Sequence, residues 1–108
     1  MGEWNFEQTE LFEKNFSKLI PSNIQEAFKK QIRKLLSENP YAGKPLGYKF
    51  FREKRIKKWR IYYLIYENNL VLFFINISDK KLQQSTIDKI KSDLSLLKEY
   101  INQKYETK

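Results

Sequence analysis

Two apolar runs separated by a short polar break constrain the fold of this chain more than any other feature. Residues 61–66 and 70–77 are rich in Ile, Leu, Tyr and Phe, a composition typical of β-strands, and each is too short to cross a bilayer. The break, Glu67-Asn68-Asn69, contains two asparagines, which tolerate the positive φ of a tight turn. We therefore predict strands at about residues 59–66 and 70–77, joined by a hairpin turn at Asn68-Asn69. Because both runs are almost continuously apolar, both faces of the hairpin should be at least partly covered.

The segments before this hairpin predict a short strand, two helices and a third strand. Trp4 and Phe6 alternate with polar neighbours, which favours a strand, and apolar residues at helical spacing predict a helix over residues 9–19. Ser22-x-x-Gln25 has the form of a capping box that starts a second, antiparallel helix. Two prolines and two glycines make residues 39–47 a loop, and a strand follows at about residues 48–55.

The segment after the hairpin predicts one long helix, with Ser78-Asp79 as its N-cap. Its apolar positions step by three and four residues in a single seam, formed by Ile87, Ile90, Leu94, Leu97 and Ile101. We expect this seam to pack on the protein's own sheet, with an external partner as the alternative. The whole chain, residues 1–108, is thus predicted to be one α+β domain with the order β-α-α-β-β-β-α and an antiparallel sheet.

Most of the positive charge lies in residues 44–60, which we call the basic strip. Glu53 is its only acid, so the strip carries seven of the chain's formal net charge of +8. Such a concentration predicts a polyanionic partner, which could be nucleic acid, an acidic membrane surface or an acidic protein; charge that merely maintains solubility is the alternative. The cations of the strip are Lys44, Lys49, Arg52, Lys54, Arg55, Lys57, Lys58 and Arg60.

The chain contains neither cysteine nor histidine. This composition excludes disulfides, Cys/His zinc sites, thiol nucleophiles and imidazole acid–base catalysis. No acidic cluster suggests metal-dependent hydrolysis, and we predict no cofactor. The first residues show no signal-peptide pattern and no apolar run is long enough to span a membrane, so we predict a cytoplasmic protein without membrane attachment.

Arginine and lysine remain as the groups that could do chemistry, and both bind phosphates and stabilise a negatively charged phosphorane. Crowded cations can also lower the pKa of a lysine enough for proton transfer. Since RNA carries its own nucleophile, the 2′-hydroxyl, such a strip could cleave RNA without a metal. The alternative is a phosphate-binding face with no catalysis. Aromatic residues could stack bases, although core positions are favoured, least strongly for Tyr48 and Trp59; the candidates are Tyr48, Phe50, Phe51, Trp59, Tyr62 and Tyr63.

Several of these segments, in this order, make the chain resemble the RelE/ParE superfamily of type II toxin–antitoxin modules. The resemblance covers residues 4–90 and is closest to RelE-like members. It rests on Lys44-Pro45-Leu46-x-Tyr48-Lys49, Arg52-Glu53-Lys54-Arg55-Ile56, Trp59-Arg60-Ile61-Tyr62-Tyr63 and Ile77-Ser78-Asp79-Lys80-Lys81.

The resemblance implies a RelE-like fold and a toxin that inhibits translation by cleaving mRNA on the ribosome, without a metal. It also implies a complex with a cognate antitoxin, which would offer acidic residues to the basic strip. Arg60 matches an arginine proposed to contact the phosphate and transition state, and Lys81 matches the basic position after the last strand. The implied catalytic residues are Arg52, Lys54, Arg55, Arg60 and Lys81, and the implied RNA-binding residues are Lys44, Lys49, Lys57, Lys58 and Lys80.

One position departs from the RelE pattern. RelE-like enzymes carry a tyrosine six residues beyond the last basic position, and this chain has Ile87 there. Tyr100 and Tyr105 are candidates to replace it, or they belong to the helical seam. The departure favours a ParE-like toxin that acts on DNA gyrase, or a weakened toxin. A non-catalytic RNA-binding module is a further alternative.

Overall fold

The predicted hairpin forms the centre of a five-stranded sheet in the computed structural model, which describes residues 4–105. The six terminal residues of the predicted domain, 1–3 and 106–108, lie outside the described part. The strands are β1 (Asn5–Gln8), β2 (Lys44–Pro45), β3 (Phe51–Ile56), β4 (Trp59–Tyr66) and β5 (Val71–Ser78), in the spatial order β1-β5-β4-β3-β2. The α+β class is confirmed, and β4 has the predicted bounds.

The sheet is mixed, whereas we predicted an antiparallel one. β1 runs parallel to β5, with Asn5 opposite Val71 and Gln8 opposite Phe74. Parallel neighbours need a long crossover connection, and here the two N-terminal helices and strands β2 to β4 all lie between β1 and β5 in the chain. β2, a two-residue strand, was also absent from the predicted order.

Helices α1 (Glu10–Leu19) and α2 (Ser22–Ser37) form as predicted, but they begin differently from each other. Thr9 caps α1, because its Oγ1 accepts from the Phe12 amide at 2.9 Å. The predicted capping box at Ser22 is wrong. Pro21 occupies the N-cap position, so Ser22 is already the first helical residue, and Gln25 Nε2 donates instead to the Ile20 carbonyl at 2.9 Å.

The predicted C-terminal helix is divided at Asp93 into α3 (Gln83–Ser92) and α4 (Leu94–Lys104). Asp79 does not cap α3 directly; its Oδ1 accepts from the Leu82 amide, in the turn that precedes the helix. Ile87, Ile90 and Ile101 are nonetheless buried against the sheet, so the expectation that the seam packs on the protein's own sheet is confirmed.

The sheet separates two cores, as the continuous apolar runs predicted. Ile61, Tyr63 and Ile65 face α1 and α2, whereas Tyr62 and Leu64 face α3 and α4. The hairpin turn differs from its prediction: a 3₁₀ turn spans Glu67–Asn69, and the positive φ, 54°, falls on Leu70. Within residues 4–105 no helix is long and apolar enough to cross a membrane.

Candidate active site

Alternation along β3 sorts the basic strip onto the two faces of the sheet. Glu53 pairs with Tyr62, and Arg55 pairs with Arg60, so these four residues share the face that α3 and α4 cover. Lys44 on β2 lies opposite Glu53, and therefore joins the same face. Lys44, Glu53, Arg55 and Arg60 line a cleft that Gln83, the first residue of α3, also borders.

This cleft, of about 530 Å³, is called the basic cleft below. Four of the ten cations predicted for the site line it, together with one acid and one amide. Among the described residues no three His, Cys, Asp or Glu side chains form a cluster that could hold a metal. The lining residues are Ala42, Gly43, Lys44, Glu53, Lys54, Arg55, Arg60 and Gln83.

A buried ion pair lies at the base of the basic cleft. Arg60 Nε is 3.7 Å from Glu53 Oε2, and each side chain is only 8% exposed. Gln83 Nε2, from the first turn of α3, donates to Glu53 Oε1 at 2.9 Å. Arg60 Nε is a buried donor without a hydrogen-bond partner among residues 4–105. Since buried donors are nearly always paired, the long contact with Glu53 leaves the Arg60 guanidinium with unused capacity to bind an anion.

Tyr62 adds a buried hydroxyl beside this pair. Its hydroxyl oxygen lies 2.8 Å from Ser78 Oγ, and Ser78 is the residue of β5 that pairs with Arg60. Burial raises the pKa of Tyr62, the Glu53 carboxylate raises it further, and the hydrogen bond with Ser78 opposes both effects. Tyr62 therefore stays protonated and neutral, and it is itself fully buried.

Arg52, which was predicted to be catalytic, lies on the other face of the sheet. Its Nε donates to the Lys49 carbonyl at 2.8 Å, and its Nη1 donates to the carbonyls of Gly43 at 2.8 Å and Tyr41 at 3.2 Å. With its donors committed to these carbonyls, Arg52 holds the loop that leads into β2 and so positions Lys44.

The remaining predicted cations lie around the basic cleft or away from it. Lys57 and Lys58 form the β3–β4 turn, where Lys58 Nζ lies 5.1 Å from the centre of the Trp59 ring. Lys80 and Lys81 are exposed in the turn after β5, beyond Ser78. Lys49 precedes β3 and therefore lies at the opposite end of the sheet.

No tyrosine replaces the one expected at position 87. Ile87 is buried in the core between the sheet and α3. Tyr100 stacks on Phe73 of β5 with ring centres 5.6 Å apart, and the Tyr105 hydroxyl donates to Glu7 of β1. Both tyrosines thus belong to the side of the sheet remote from β3, and neither lines the basic cleft.

Sequence reasoning missed two residues of the cleft, Glu53 and Gln83. Sequence analysis identified Glu53 only as the single acid of the basic strip. Its position two residues before Arg55 on a predicted strand already indicated that both side chains lie on the same face of the sheet. Gln83 carried no signal, because its role depends on where α3 begins relative to β3.

Comparison with known families decides what class of protein carries this cleft. The family described as "ParE toxin of type II toxin-antitoxin system, parDE" matches residues 6–83. The chain belongs to this toxin family. A search among curated protein sequences found no match.

Solved structures of RelE toxins share the fold of this ParE-family chain. An Escherichia coli RelE mutant in the free state is 22% identical to this chain, with a TM-score of 0.67. The match covers 82% of this chain and 93% of the RelE mutant. The RelBE2 toxin–antitoxin complex from Mycobacterium tuberculosis is 20% identical, with a TM-score of 0.63 and coverages of 74% and 94%. The RelB–RelE complex from Methanococcus jannaschii is 17% identical, with a TM-score of 0.57 and coverages of 74% and 96%. The chain is thus a toxin of a type II toxin–antitoxin system with a RelE-like fold.

Proposed function

We propose that this toxin is an mRNA interferase, a metal-independent endoribonuclease whose site is the basic cleft. The observation that carries the proposal is the buried Arg60 guanidinium, whose Nε has no partner among the described residues, in a cleft lined by three further cations. A scissile phosphate gains charge as it becomes a phosphorane, and donors already fixed at that position stabilise the transition state more than the ground state.

Four charged side chains on the cleft's face of the sheet have roles in the proposed reaction. The RNA 2′-oxygen attacks phosphorus while Glu53, the one carboxylate of the cleft, takes its proton. Arg60 and Arg55 neutralise the charge on the phosphorane. The bond from phosphorus to the 5′-oxygen then breaks, and the leaving oxygen takes a proton from the ammonium of Lys44, which lies opposite Glu53. The products are a 2′,3′-cyclic phosphate and a 5′-hydroxyl.

The partners follow from the same surface. Lys57, Lys58, Lys80 and Lys81 are exposed in the turns next to Arg60 and Ser78, which suits contacts with the phosphates of mRNA on the ribosome. A cognate antitoxin would neutralise the toxin, as the RelB-bound neighbours suggest. An apolar groove of about 440 Å³, flanked by Lys29 and Arg33, suits an amphipathic antitoxin segment with acidic residues; Phe6, Phe12, Phe16, Ile32 and Leu36 contribute to it.

Induction of the toxin alone in a bacterial host tests this function. The parent should arrest growth and produce cuts within translated codons, detected by primer extension on abundant mRNAs. Arg60→Gln should abolish both effects, and Glu53→Gln should slow cleavage about 100-fold or more. Lys30→Gln, which removes an exposed cation from α2, is the matched control and should act like the parent. Cleavage that survives Arg60→Gln would overturn the site assignment.

A second candidate function is favoured by one observation. Position 87 carries a buried isoleucine and no tyrosine hydroxyl, and the matching family is the ParE family. A ParE-like toxin acting on DNA gyrase would arrest growth and induce DNA-damage signalling while mRNA stays intact. A non-catalytic RNA-binding module would produce neither arrest nor cuts. The same induction experiment therefore separates all three.

A further inference from the structure

A second cavity lies at the opposite end of the sheet from the basic cleft. It measures about 620 Å³, which is in the range of pockets that bind small molecules. We call it the far pocket. Four segments form it: the 3₁₀ turn at Pro40–Ala42, the turn that precedes β3, the end of β4 with the β4–β5 turn, and α4. Its lining includes Lys49, Phe50, Tyr66, Asn69, Lys98 and Asn102.

Exposed aromatic rings mark the entrance to the far pocket. Tyr48 and Phe50 pack against each other with ring centres 5.0 Å apart, yet they remain 44% and 37% exposed. Their backbone is fixed, because the Phe51 amide donates to the Tyr48 carbonyl and the Ile65 amide donates to the Phe50 carbonyl. Aromatic rings held at the surface by their backbone offer flat apolar faces, on which a stacking ligand would bury area now exposed to water.

The polar groups around these rings suit a nucleotide. Lys49 Nζ lies 5.3 Å from the centre of the Tyr41 ring and borders the pocket from one side, while Lys98 of α4 borders it from another. Amides of Asn69 and Asn102 can both donate to and accept from a base edge. One acid, Glu67, also lines the pocket, and its carboxylate already accepts a hydrogen bond from the Tyr41 hydroxyl.

The two sites lie toward opposite ends of strand β4. β4 runs from Arg60 in the basic cleft to Tyr66 in the far pocket, so the sites are about 20 Å apart. Lys91 adds an exposed cation beside the turn that precedes β3, with its Nζ 3.1 Å from where a Cβ at Gly47 would be. Gly47 itself has a φ of 91°, which a glycine adopts without strain.

We propose that the far pocket is a second RNA subsite, in which Phe50 and Tyr48 stack an unpaired base several nucleotides away from the phosphate bound at Arg60. This subsite extends the proposed function, on which it rests. Single-stranded RNA is its occupant because aromatic faces, neutral amides and lysines occur together there, the combination that stacks bases and tracks a phosphate backbone. In this subsite Lys49, which lies far from the basic cleft, would still contact RNA.

Binding of fully 2′-O-methylated oligonucleotides to the full chain tests the subsite, because these probes lack the nucleophile and stay intact. One probe of roughly ten nucleotides spans both sites, and a dinucleotide reaches only one. Phe50→Ala should lower the affinity for the long probe at least fivefold at low salt, and Phe50→Trp should bind that probe as tightly as the parent. The dinucleotide should bind parent and variant equally at the basic cleft. Leu11→Ala, equally exposed on α1, is the control and should change neither affinity.

The subsite is refuted if Phe50→Ala leaves the affinity for the long probe unchanged, or if the parent fails to bind that probe. A loss of affinity for antitoxin in place of RNA would assign the rings to a protein interface and equally overturn the proposal. Failure of the proposed function gives a different result from failure of the subsite. If the toxin is not an mRNA interferase, induction yields no mRNA cuts, but the RNA affinities of Phe50→Ala and Phe50→Trp still test the subsite.

Discussion

Removal of Glu53 should destabilise the protein more than removal of its partner, Arg60. Four cations surround this single carboxylate in the basic cleft, so Glu53→Gln leaves them without a counter-charge, whereas Arg60→Gln relieves repulsion. One carboxylate oxygen accepts from Gln83 Nε2, and the other lies 3.7 Å from Arg60 Nε. An amide has only one terminal oxygen, so Glu53→Gln would keep either the acceptor for Gln83 or the oxygen that faces Arg60.

The attraction between unit charges at this separation is about 4 kcal/mol at an effective dielectric constant of about 20, before the cost of burial is subtracted. Breaking a buried pair from one side typically costs about 3–5 kcal/mol. We expect Glu53→Gln to lower the free energy of unfolding by about 3 kcal/mol. Arg60→Gln should lower it by only about 1 kcal/mol, because Glu53 keeps Gln83 as a donor and Lys44 opposite it.

Urea unfolding of the two variants measures the difference. Glu99→Gln, which removes an exposed carboxylate from α4, is the charge-matched control and should change stability by less than about 0.5 kcal/mol. Inorganic phosphate should stabilise Glu53→Gln more than the parent, since an anion can occupy the uncompensated cleft. Equal losses of unfolding free energy in Glu53→Gln and Arg60→Gln, or no stabilisation of Glu53→Gln by phosphate, would refute this reasoning. Either result would show that Glu53 does not offset the repulsion among the cations of the basic cleft.

Three further predictions concern the parts that hold the site in place. Tyr63→Phe removes the hydroxyl that donates to the Pro40 carbonyl and accepts from the Gly43 amide, and should cost about 1–3 kcal/mol in urea unfolding. Burial raises the pKa of Tyr63 to about 12, so above pH ~10 the unfolded parent ionises first and the parent loses stability. The difference in free energy of unfolding between the parent and Tyr63→Phe should therefore become smaller as pH rises above ~10. A difference that stays constant with pH would contradict the assignment of the raised pKa to Tyr63. Thr9→Ala loses both the α1 cap and the bond to the Ile75 carbonyl, and should lower the thermal midpoint by an amount equivalent to about 1–2 kcal/mol, unlike exposed Ser85→Ala. Ile87→Tyr should cost about 1–3 kcal/mol from overpacking and leave cleavage no faster; a gain in mRNA cutting would show that position 87 reaches the cleft.

The fold could be predicted from the sequence wherever one physical signal dominated. The bounds of β4 followed from Trp59 and the nearly continuous apolar run of residues 61–66, since burial on both faces favours apolar side chains; Arg60 is the charged exception. The start of β3 was placed too early, because the aromatic residues Tyr48 and Phe50 have strand propensity but form a turn. The break at Asp93 was invisible, since the apolar seam continues in helical steps through it.

The candidate site was predictable as a region but not residue by residue. Local charge identified the basic strip, and alternation along a strand could have separated Arg52 from Arg55, which lie on opposite faces. Which face forms the cleft depends on the register between β3, β4 and β2 and on the start of α3. These are long-range relations, and no local pattern in the sequence encodes them.

The parallel pairing of β1 with β5 also sets the order in which the protein can be made. β1 is synthesised first, yet its only neighbour in the described sheet is β5, more than sixty residues later in the chain. Until the ribosome has delivered β5, neither the sheet centre nor the pairing of Arg60 with Ser78 exists. A nascent chain of this toxin therefore lacks the assembled basic cleft for most of its synthesis.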